Sequence, residues 1–177
     1  LGLKAKFISI TDQETLSIKN YFKRSKIKFI PNPIPFNLSI KEPEEINKTF
    51  VFFGRIHPIK NLELMIDSFK KSKLDESWKL HIYGIHDDEK YLSKLKKKIK
   101  DYKNIEIKEP IFGTEKQKVL NSSWANILLS KSEVLSLSVL ESASMELPSI
   151  VSEDIQIDQF TTNEGVSVRP NINEISK

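Results

Sequence analysis

Two basic side chains with the spacing of a phosphate-binding loop follow the first strongly apolar segment of the chain. Gly54 and Arg55 come directly after the run 49–53, and Lys60 stands five residues beyond Arg55. Arginine offers a planar fork of N–H donors and lysine a mobile point charge, and both form charge-assisted bonds with phosphate oxygens. On a loop between a strand and a helix, this pair is typical of a diphosphate site, although solvated loop cations would look the same in a sequence.

Two carboxylates separated by seven residues form the second candidate. Glu133 lies in a short turn after the apolar segment 125–130, and Glu141 lies inside a helix that we expect to begin at Ser136. The free backbone N–H groups at the start of that helix, at Ser136 and Leu137, can meet an anion. Because like charges repel, carboxylates beside them suit sugar hydroxyls better than phosphates. A position on an outer helix face would also explain Glu141 by itself.

The apolar and polar patterns place these residues in an alternation of strands and helices. We predict strands at 6–10, 27–30, 49–53, 78–83, 104–107, 125–130, 149–151 and 165–168, and helices from 11, from a cap at Asn61, over about 88–101, over 113–122 and from 136. This alternation indicates an α/β fold with a Rossmann-like, open, mostly parallel sheet and helices on both faces. Ligands of such sheets bind beyond the carboxyl ends of the strands. Gly54 and Gly84 fall at predicted strand ends, where a positive φ or close approach of the backbone to a ligand favours glycine.

The composition excludes several classes of site. Of the 177 residues, 38% are hydrophobic and 29% are charged, as in soluble globular proteins. The absence of cysteine removes disulfides, thiolate metal sites and a cysteine nucleophile. No apolar run approaches the roughly 18 residues that span a bilayer, so we expect a cytoplasmic protein.

The net charge of +4 is concentrated in the lysine-rich segment 94–100. Leu92 and Leu95 recur there at helical spacing, which favours the solvated face of an amphipathic helix. An anionic membrane surface is the alternative, and it would place the protein peripherally at the inner face of the membrane. Aromatic residues do not punctuate the lysines except Tyr91 and Tyr102, so we expect no nucleic-acid partner.

Taken together and in order, these motifs resemble the C-terminal half of a GT-B fold glycosyltransferase from the group 1, or family 4, retaining enzymes. The matching segments are the hinge Phe29-Ile30-Pro31-Asn32, the loop from Phe53-Gly54-Arg55 to Lys60-Asn61, the strand end Ile82-Tyr83-Gly84, the pair Glu133 and Glu141 with the following Pro148, and the tail from Gly165 to Pro170. The resemblance covers nearly the whole chain from Ile27 to Pro170. The family usually has glycines at positions where this chain has Val134, Leu135, Ser136 and Glu146.

The resemblance implies a role for each candidate residue. Arg55 and Lys60 would hold the diphosphate of a nucleotide-diphosphate sugar and neutralise the leaving group, and Glu133, near the transferred sugar, would complete the catalytic set. Glu141 would accept bonds from the ribose hydroxyls, and main-chain groups of the loop after segment 104–107 would hold the base. The implied donor-binding set is Gly54, Arg55, Lys60, Gly84, Pro110, Ile111, Ser136, Leu137 and Glu141.

The resemblance also implies metal-independent chemistry with no cofactor besides the nucleotide-sugar donor. The chain has no Asp-x-Asp motif, so Arg and Lys would supply the electrostatic stabilisation that a cation supplies elsewhere. A glycan or lipid-linked sugar acceptor would bind an N-terminal domain outside this chain, as in polysaccharide biosynthesis, and the chain alone would transfer nothing. The alternative is a non-catalytic, degenerate domain of the same fold that acts as a binding or partner subunit; the absent glycines favour it, whereas the retained Arg55, Lys60 and Glu141 oppose it.

These expectations divide the chain into four parts. We assign residues 1–30 to the end of a preceding N-terminal domain and 31–48 to a linker and loop, which three prolines between 31 and 35 stiffen. Residues 49–170 form the Rossmann-like nucleotide-sugar-binding domain. Residues 171–177 form the start of a truncated C-terminal helix.

Overall fold

A six-stranded parallel sheet forms the centre of the protein in the computed structural model, which describes residues 6–33, 45–155 and 165–177. The described strands are β1 (Lys6–Ser9), β2 (Lys26–Phe29), β3 (Thr49–Phe53), β4 (Lys79–Tyr83), β5 (Ile105–Lys108), β6 (Ala125–Leu128), β7 (Ser149–Ser152) and β8 (Gly165–Val168). The described helices are α1 (Asp12–Tyr21), α2 (Leu62–Lys71), α3 (Glu89–Ile99), α4 (Gly113–Ser122), α5 (Leu137–Ser144) and α6 (Ile172–Ile175), with a 3-10 turn at Pro58–Lys60. The predicted Rossmann-like α/β fold is confirmed.

The strand order of the main sheet is β5-β4-β3-β6-β7-β8, and all neighbouring strands are parallel. The chain first adds β4 and β5 on one side of β3 and then returns to add β6, β7 and β8 on the other side. In doubly wound sheets, ligands bind in the crevice beyond the carboxyl ends of the strands at this point of reversal. The fold therefore places its crevice at the end of β3, where Gly54 and Arg55 follow.

Helices cover both faces of the sheet because successive residues of β3 point to opposite sides. Phe52 is buried in one cluster with Met65 of α2. Phe53, the next residue, is buried in a second cluster with Leu120 of α4. The continuous apolar run 49–53 predicted this arrangement, since a strand buried on both faces has no polar alternation.

The strands β1 and β2 form a separate two-stranded parallel sheet, with α1 between them in sequence. The Thr11 hydroxyl accepts a bond from the Glu14 N–H at 3.1 Å, and the Glu14 carboxylate accepts one from the Ile10 N–H at 2.7 Å. The helix start predicted at Thr11 is thus confirmed. Part of the predicted linker, residues 34–44, lies outside the described residues, and the division of the chain into domains stays a prediction.

The end of α5 takes the backbone form that glycine prefers, although the residue there is a glutamate. Glu146 has φ +57°. Its N–H donates to the Ala143 carbonyl at 3.1 Å, and the Leu147 N–H donates to the Ser142 carbonyl at 2.9 Å. These two bonds define a Schellman cap, which places a left-handed residue after the helix, usually glycine. The chain therefore has a glutamate at a position whose backbone conformation favours glycine.

We predict that Glu146→Gly stabilises the protein. A left-handed conformation costs an L-residue about 1–2 kcal/mol, and the greater entropy of unfolded glycine cancels part of that gain. The net gain of about 1 kcal/mol should raise the thermal unfolding midpoint by roughly 2–4 °C.

The matched control is Glu146→Ala, which removes the same carboxylate and keeps the β-carbon. It should not raise the midpoint. An equal rise in both variants would assign the effect to charge and contradict the role of the backbone.

Candidate functional site

A cleft of about 630 Å³ opens at the carboxyl ends of the central strands. All ten residues that the sequence analysis assigned to the site line this cleft: Gly54, Arg55, Lys60, Gly84, Pro110, Ile111, Glu133, Ser136, Leu137 and Glu141. They come from the four connections that follow β3, β4, β5 and β6, since parallel strands bring these connections to one edge of the sheet. Their individual roles stay predictions.

The connection after β3 is fastened to the connection after β4. The Gly54 N–H donates to the Tyr83 carbonyl at 3.1 Å, and the Ile56 N–H donates to the Ile85 carbonyl at 2.8 Å. Ile56 is also buried in the core. The pairing of the two strands thus continues beyond their ends, which fixes the backbone that carries Arg55.

A short turn brings Lys60 to the cleft. The His57 side chain accepts a bond from the Ile59 N–H at 3.2 Å and opens the 3-10 turn. Asn61 ends this turn with φ +55°, a left-handed conformation that asparagine tolerates. Asn61 occupies the predicted capping position directly before α2, but its side chain makes no capping bond. Asn61 instead allows the backbone to reverse between the turn and the helix.

The two strand-end glycines are explained by contact between protein segments. Neither has a positive φ; among the described glycines, only Gly113 does. A β-carbon at Gly84 would collide with the carbonyl oxygen of Gly54, whereas one at Gly54 would meet the tip of the Phe52 ring at 2.9 Å. Gly84 therefore lets the connections after β3 and β4 approach each other at the floor of the cleft.

Lys60 and Glu133 form an ion pair inside the cleft. The two side chains are 17% and 13% exposed, and the Ser130 hydroxyl donates to the same Glu133 oxygen at 2.8 Å. Sequence analysis placed both residues in the site but did not predict their pairing. The pair holds a cation and a carboxylate within reach of one ligand.

A second ion pair joins Lys116 of α4 to Glu141 of α5. Both side chains are largely buried, at 14% and 8% exposure. The Lys116 ammonium also lies 4.9 Å from the centre of the Phe53 ring, an attractive cation–π distance. Sequence analysis missed Lys116, because a lysine in the first turn of a helix carries no signal that separates it from the other lysines of this chain.

Two aromatic rings stack at the ends of β3 and β4. The ring centres of Phe53 and Tyr83 are 4.8 Å apart and the planes differ by 13°. Burial raises the pKa of the Tyr83 hydroxyl, with a smaller opposing effect from Lys108, so Tyr83 stays neutral near pH 7. The stack gives the cleft an apolar wall beneath the charged side chains.

The helix α5 presents its amino end to the cleft. Ser136 occupies the capping position, but its side chain makes no capping bond and contacts the Ser138 hydroxyl at 3.0 Å. The N–H groups of the first turn therefore remain available as hydrogen-bond donors to a ligand. Val134 and Leu137, in the segment that lacks the family glycines, expose apolar side chains near this end.

Three cations line the cleft, and they differ in their surroundings. Lys60 and Lys116 each have a carboxylate partner, whereas Arg55 is exposed and forms no ion pair with any residue that the structure describes. An anion in the cleft thus finds one guanidinium with no ion-pair partner among the described residues. Phosphate groups suit this arrangement, and the two carboxylates suit hydroxyl donors.

The lysine-rich face of α3 lies outside this cleft. Lys94 pairs with Glu63 of α2 and Lys98 pairs with Asp67, each at 2.7 Å. These contacts agree with a solvated helix face. No helix in the described part of the chain has the length and apolarity to cross a membrane. In the same part, no three His, Asp or Glu side chains converge as metal ligands would.

The family model of glycosyl transferases group 1 matches residues 35–175. The chain belongs to this family. A comparison with curated proteins gave no significant match.

Solved glycosyltransferase structures share the fold. A glycosyltransferase from Rickettsia africae superposes with a TM-score of 0.80 at 14% identity over 98% of this chain and 52% of that one. Sucrose-phosphate synthase from Thermosynechococcus elongatus superposes with a TM-score of 0.77 at 18% identity over 98% of this chain and 48% of that one. TarM from S. aureus superposes with a TM-score of 0.76 at 24% identity over 96% of this chain and 35% of that one. The chain thus spans about half or less of the length of these proteins.

We predict that Gly84→Ala destabilises the protein by about 2 kcal/mol, because an added methyl group in a packed site forces the backbone to shift. Urea denaturation measures the loss. Gly54→Ala is the matched control, since its β-carbon would meet a side-chain ring and no backbone atom. Equal losses in the two variants would contradict the close backbone approach as the reason for Gly84.

Proposed function

We propose that this chain is the nucleotide-sugar-binding part of a metal-independent, retaining group 1 glycosyltransferase. The observation that carries the proposal is the single cleft that Arg55, Lys60 and Glu141 share at the carboxyl edge of the sheet. The transfer reaction is proposed for the whole protein, since the matched enzymes are about twice as long as this chain or longer. Apart from the absent glycines of the sequence, no contact or geometry in the described residues favours a non-catalytic, degenerate domain.

The donor's diphosphate would bind between Arg55, Lys60 and the first turn of α5. Arg55 has no carboxylate partner among the described residues, so it would offer its full charge to the phosphates. Lys60 would divide its N–H donors between the diphosphate and Glu133. Two cations and the helix N–H groups would then stabilise the negative charge that develops on the leaving group, which is the role of a metal in other transferases.

The two carboxylates would contact sugar hydroxyls at different ends of the donor. Glu141 pairs with Lys116 of α4 and lines the same cleft as Pro110 and Ile111 of the proposed base loop. We assign it to the ribose hydroxyls. Glu133 pairs with Lys60 on the phosphate side, and we assign it to the transferred sugar.

The contents of related structures support a donor of this chemical class. The TarM structure contains UDP and alpha-GlcNAc-glycerol, and the structure of the pneumococcal O-GlcNAc transferase contains UDP and GlcNAc. We propose a nucleoside diphosphate sugar as the donor and a glycan or lipid-linked sugar as the acceptor. We also propose a retaining mechanism, because the motifs of this chain resemble those of the retaining enzymes.

We predict that this chain binds at least one of UDP, GDP and ADP, measured by calorimetry at millimolar concentration. Arg55→Ala and Lys60→Ala should each weaken that binding by about tenfold, because each removes a charge-assisted bond of about 1.5–3 kcal/mol. Arg24→Ala is the control, since Arg24 is an exposed cation in the turn before β2. Absence of heat with all three nucleotides would count against the proposed donor site.

We also predict that Glu133→Gln binds the same nucleoside diphosphate several-fold more tightly. The substitution removes a carboxylate that competes with the diphosphate for Lys60. Glu115→Gln serves as the control, because it removes an exposed carboxylate of α4 and leaves the Lys60 ion pair intact. A weaker affinity in Glu133→Gln would show that the carboxylate supports nucleotide binding and would contradict the competition.

A further inference from the structure

Lys116 is a largely buried cation of the cleft to which the proposed function assigns no task. Its ammonium pairs with the Glu141 oxygen Oε2 and lies over the Phe53 ring. The Phe53 ring is held in turn by its stack with Tyr83. Lys116 therefore connects the first turn of α4 to the carboxylate of α5 and to the end of the central strand.

This contact restricts the Glu141 carboxylate at one oxygen and leaves the other available. Among the described residues, no other hydrogen-bond donor contacts the carboxylate. A buried carboxylate without a cation would be costly to keep ionised, since desolvation favours its neutral form. Lys116 thus supplies both a compensating charge and a fixed orientation, and Oε1 can accept a bond from a ligand.

We propose that Lys116 is a positioning residue that holds Glu141 for the ribose hydroxyls, so that the site selects ribonucleoside over 2′-deoxyribonucleoside diphosphates. This inference rests on the proposed function. A site built around a fixed, buried acceptor rejects an analogue that lacks the matching hydroxyl, because the acceptor then stays unpaired. A carboxylate that can rotate into water loses most of that discrimination.

The test compares UDP, GDP and ADP with their 2′-deoxy forms by calorimetry on this chain. The unmodified chain should prefer the ribose form of whichever base it binds by about tenfold. Lys116→Met should lower affinity for the ribose form by about tenfold and change affinity for the 2′-deoxy form less than about twofold. Lys116→Arg, which keeps the cation, should retain most of the preference.

The matched control is Lys118→Met, which removes an exposed lysine from the same helix. It should leave both affinities unchanged. An equal loss of both nucleotide forms in Lys116→Met would assign Lys116 to direct phosphate contact and overturn the positioning role. An unchanged ratio between the two forms would overturn it as well.

A second comparison covers the case in which Lys116→Met alone does not fold. Glu141→Gln should abolish the ribose preference, and the double variant Lys116→Met/Glu141→Gln, which leaves neither charge unpaired, should show the same ratio as Glu141→Gln alone. If the ratio of ribose to 2′-deoxy affinity differed between the double variant and Glu141→Gln, the proposal that Lys116 acts through Glu141 would be overturned. Binding of none of the six nucleotides by the unmodified chain would overturn the proposed function together with this inference, whereas binding with a ratio independent of Lys116 would overturn the inference alone.

Discussion

The parallel pairing of β3 with β4 on one side and β6 on the other is the constraint on which the site depends. Parallel strands end at the same edge, so four connections far apart in sequence meet there. The sheet reverses its order at β3, which leaves room for a ligand between the connections. Gly84 allows the connections after β3 and β4 to approach closely, because a β-carbon there would collide with the Gly54 carbonyl oxygen. The cleft is therefore a consequence of topology before any polar side chain is considered.

The charges of the cleft are arranged mostly as pairs. In the pairs Lys60–Glu133 and Lys116–Glu141, each carboxylate contacts a cation in a largely buried environment, where an isolated charge would be unfavourable. Each pair also holds its carboxylate in one orientation. Arg55 is different, since it is exposed and has no ion-pair partner in the described segments. The cleft thus combines two paired carboxylates with one exposed cation that has no partner in the described segments.

Position 146, where the family usually has a glycine, has a backbone conformation that suits glycine. Glu146 adopts this left-handed conformation within a complete Schellman cap. At the other end of α5, Ser136 stands at the capping position and the helix still begins at the cleft. The helix bonds and the packing of Leu147 in the core offset the strain at Glu146.

The sequence by itself determined the fold class and the bounds of β3 and α4, since an apolar run without alternation is a buried strand. Its resemblance to the family indicated ten of the residues that line the cleft, which meet there because residues after parallel strands share one edge. Only the tertiary structure decided the partners of Lys60 and Glu141, because those contacts join segments 73 and 25 residues apart. Local patterns placed the start of α2 after Asn61 but did not reveal the left-handed backbone of that residue, which ends the 3-10 turn that His57 opens. Lys116 reaches the cleft because α4 packs against the sheet beside α5. The sequence around one lysine does not indicate which helix will pack next to its own.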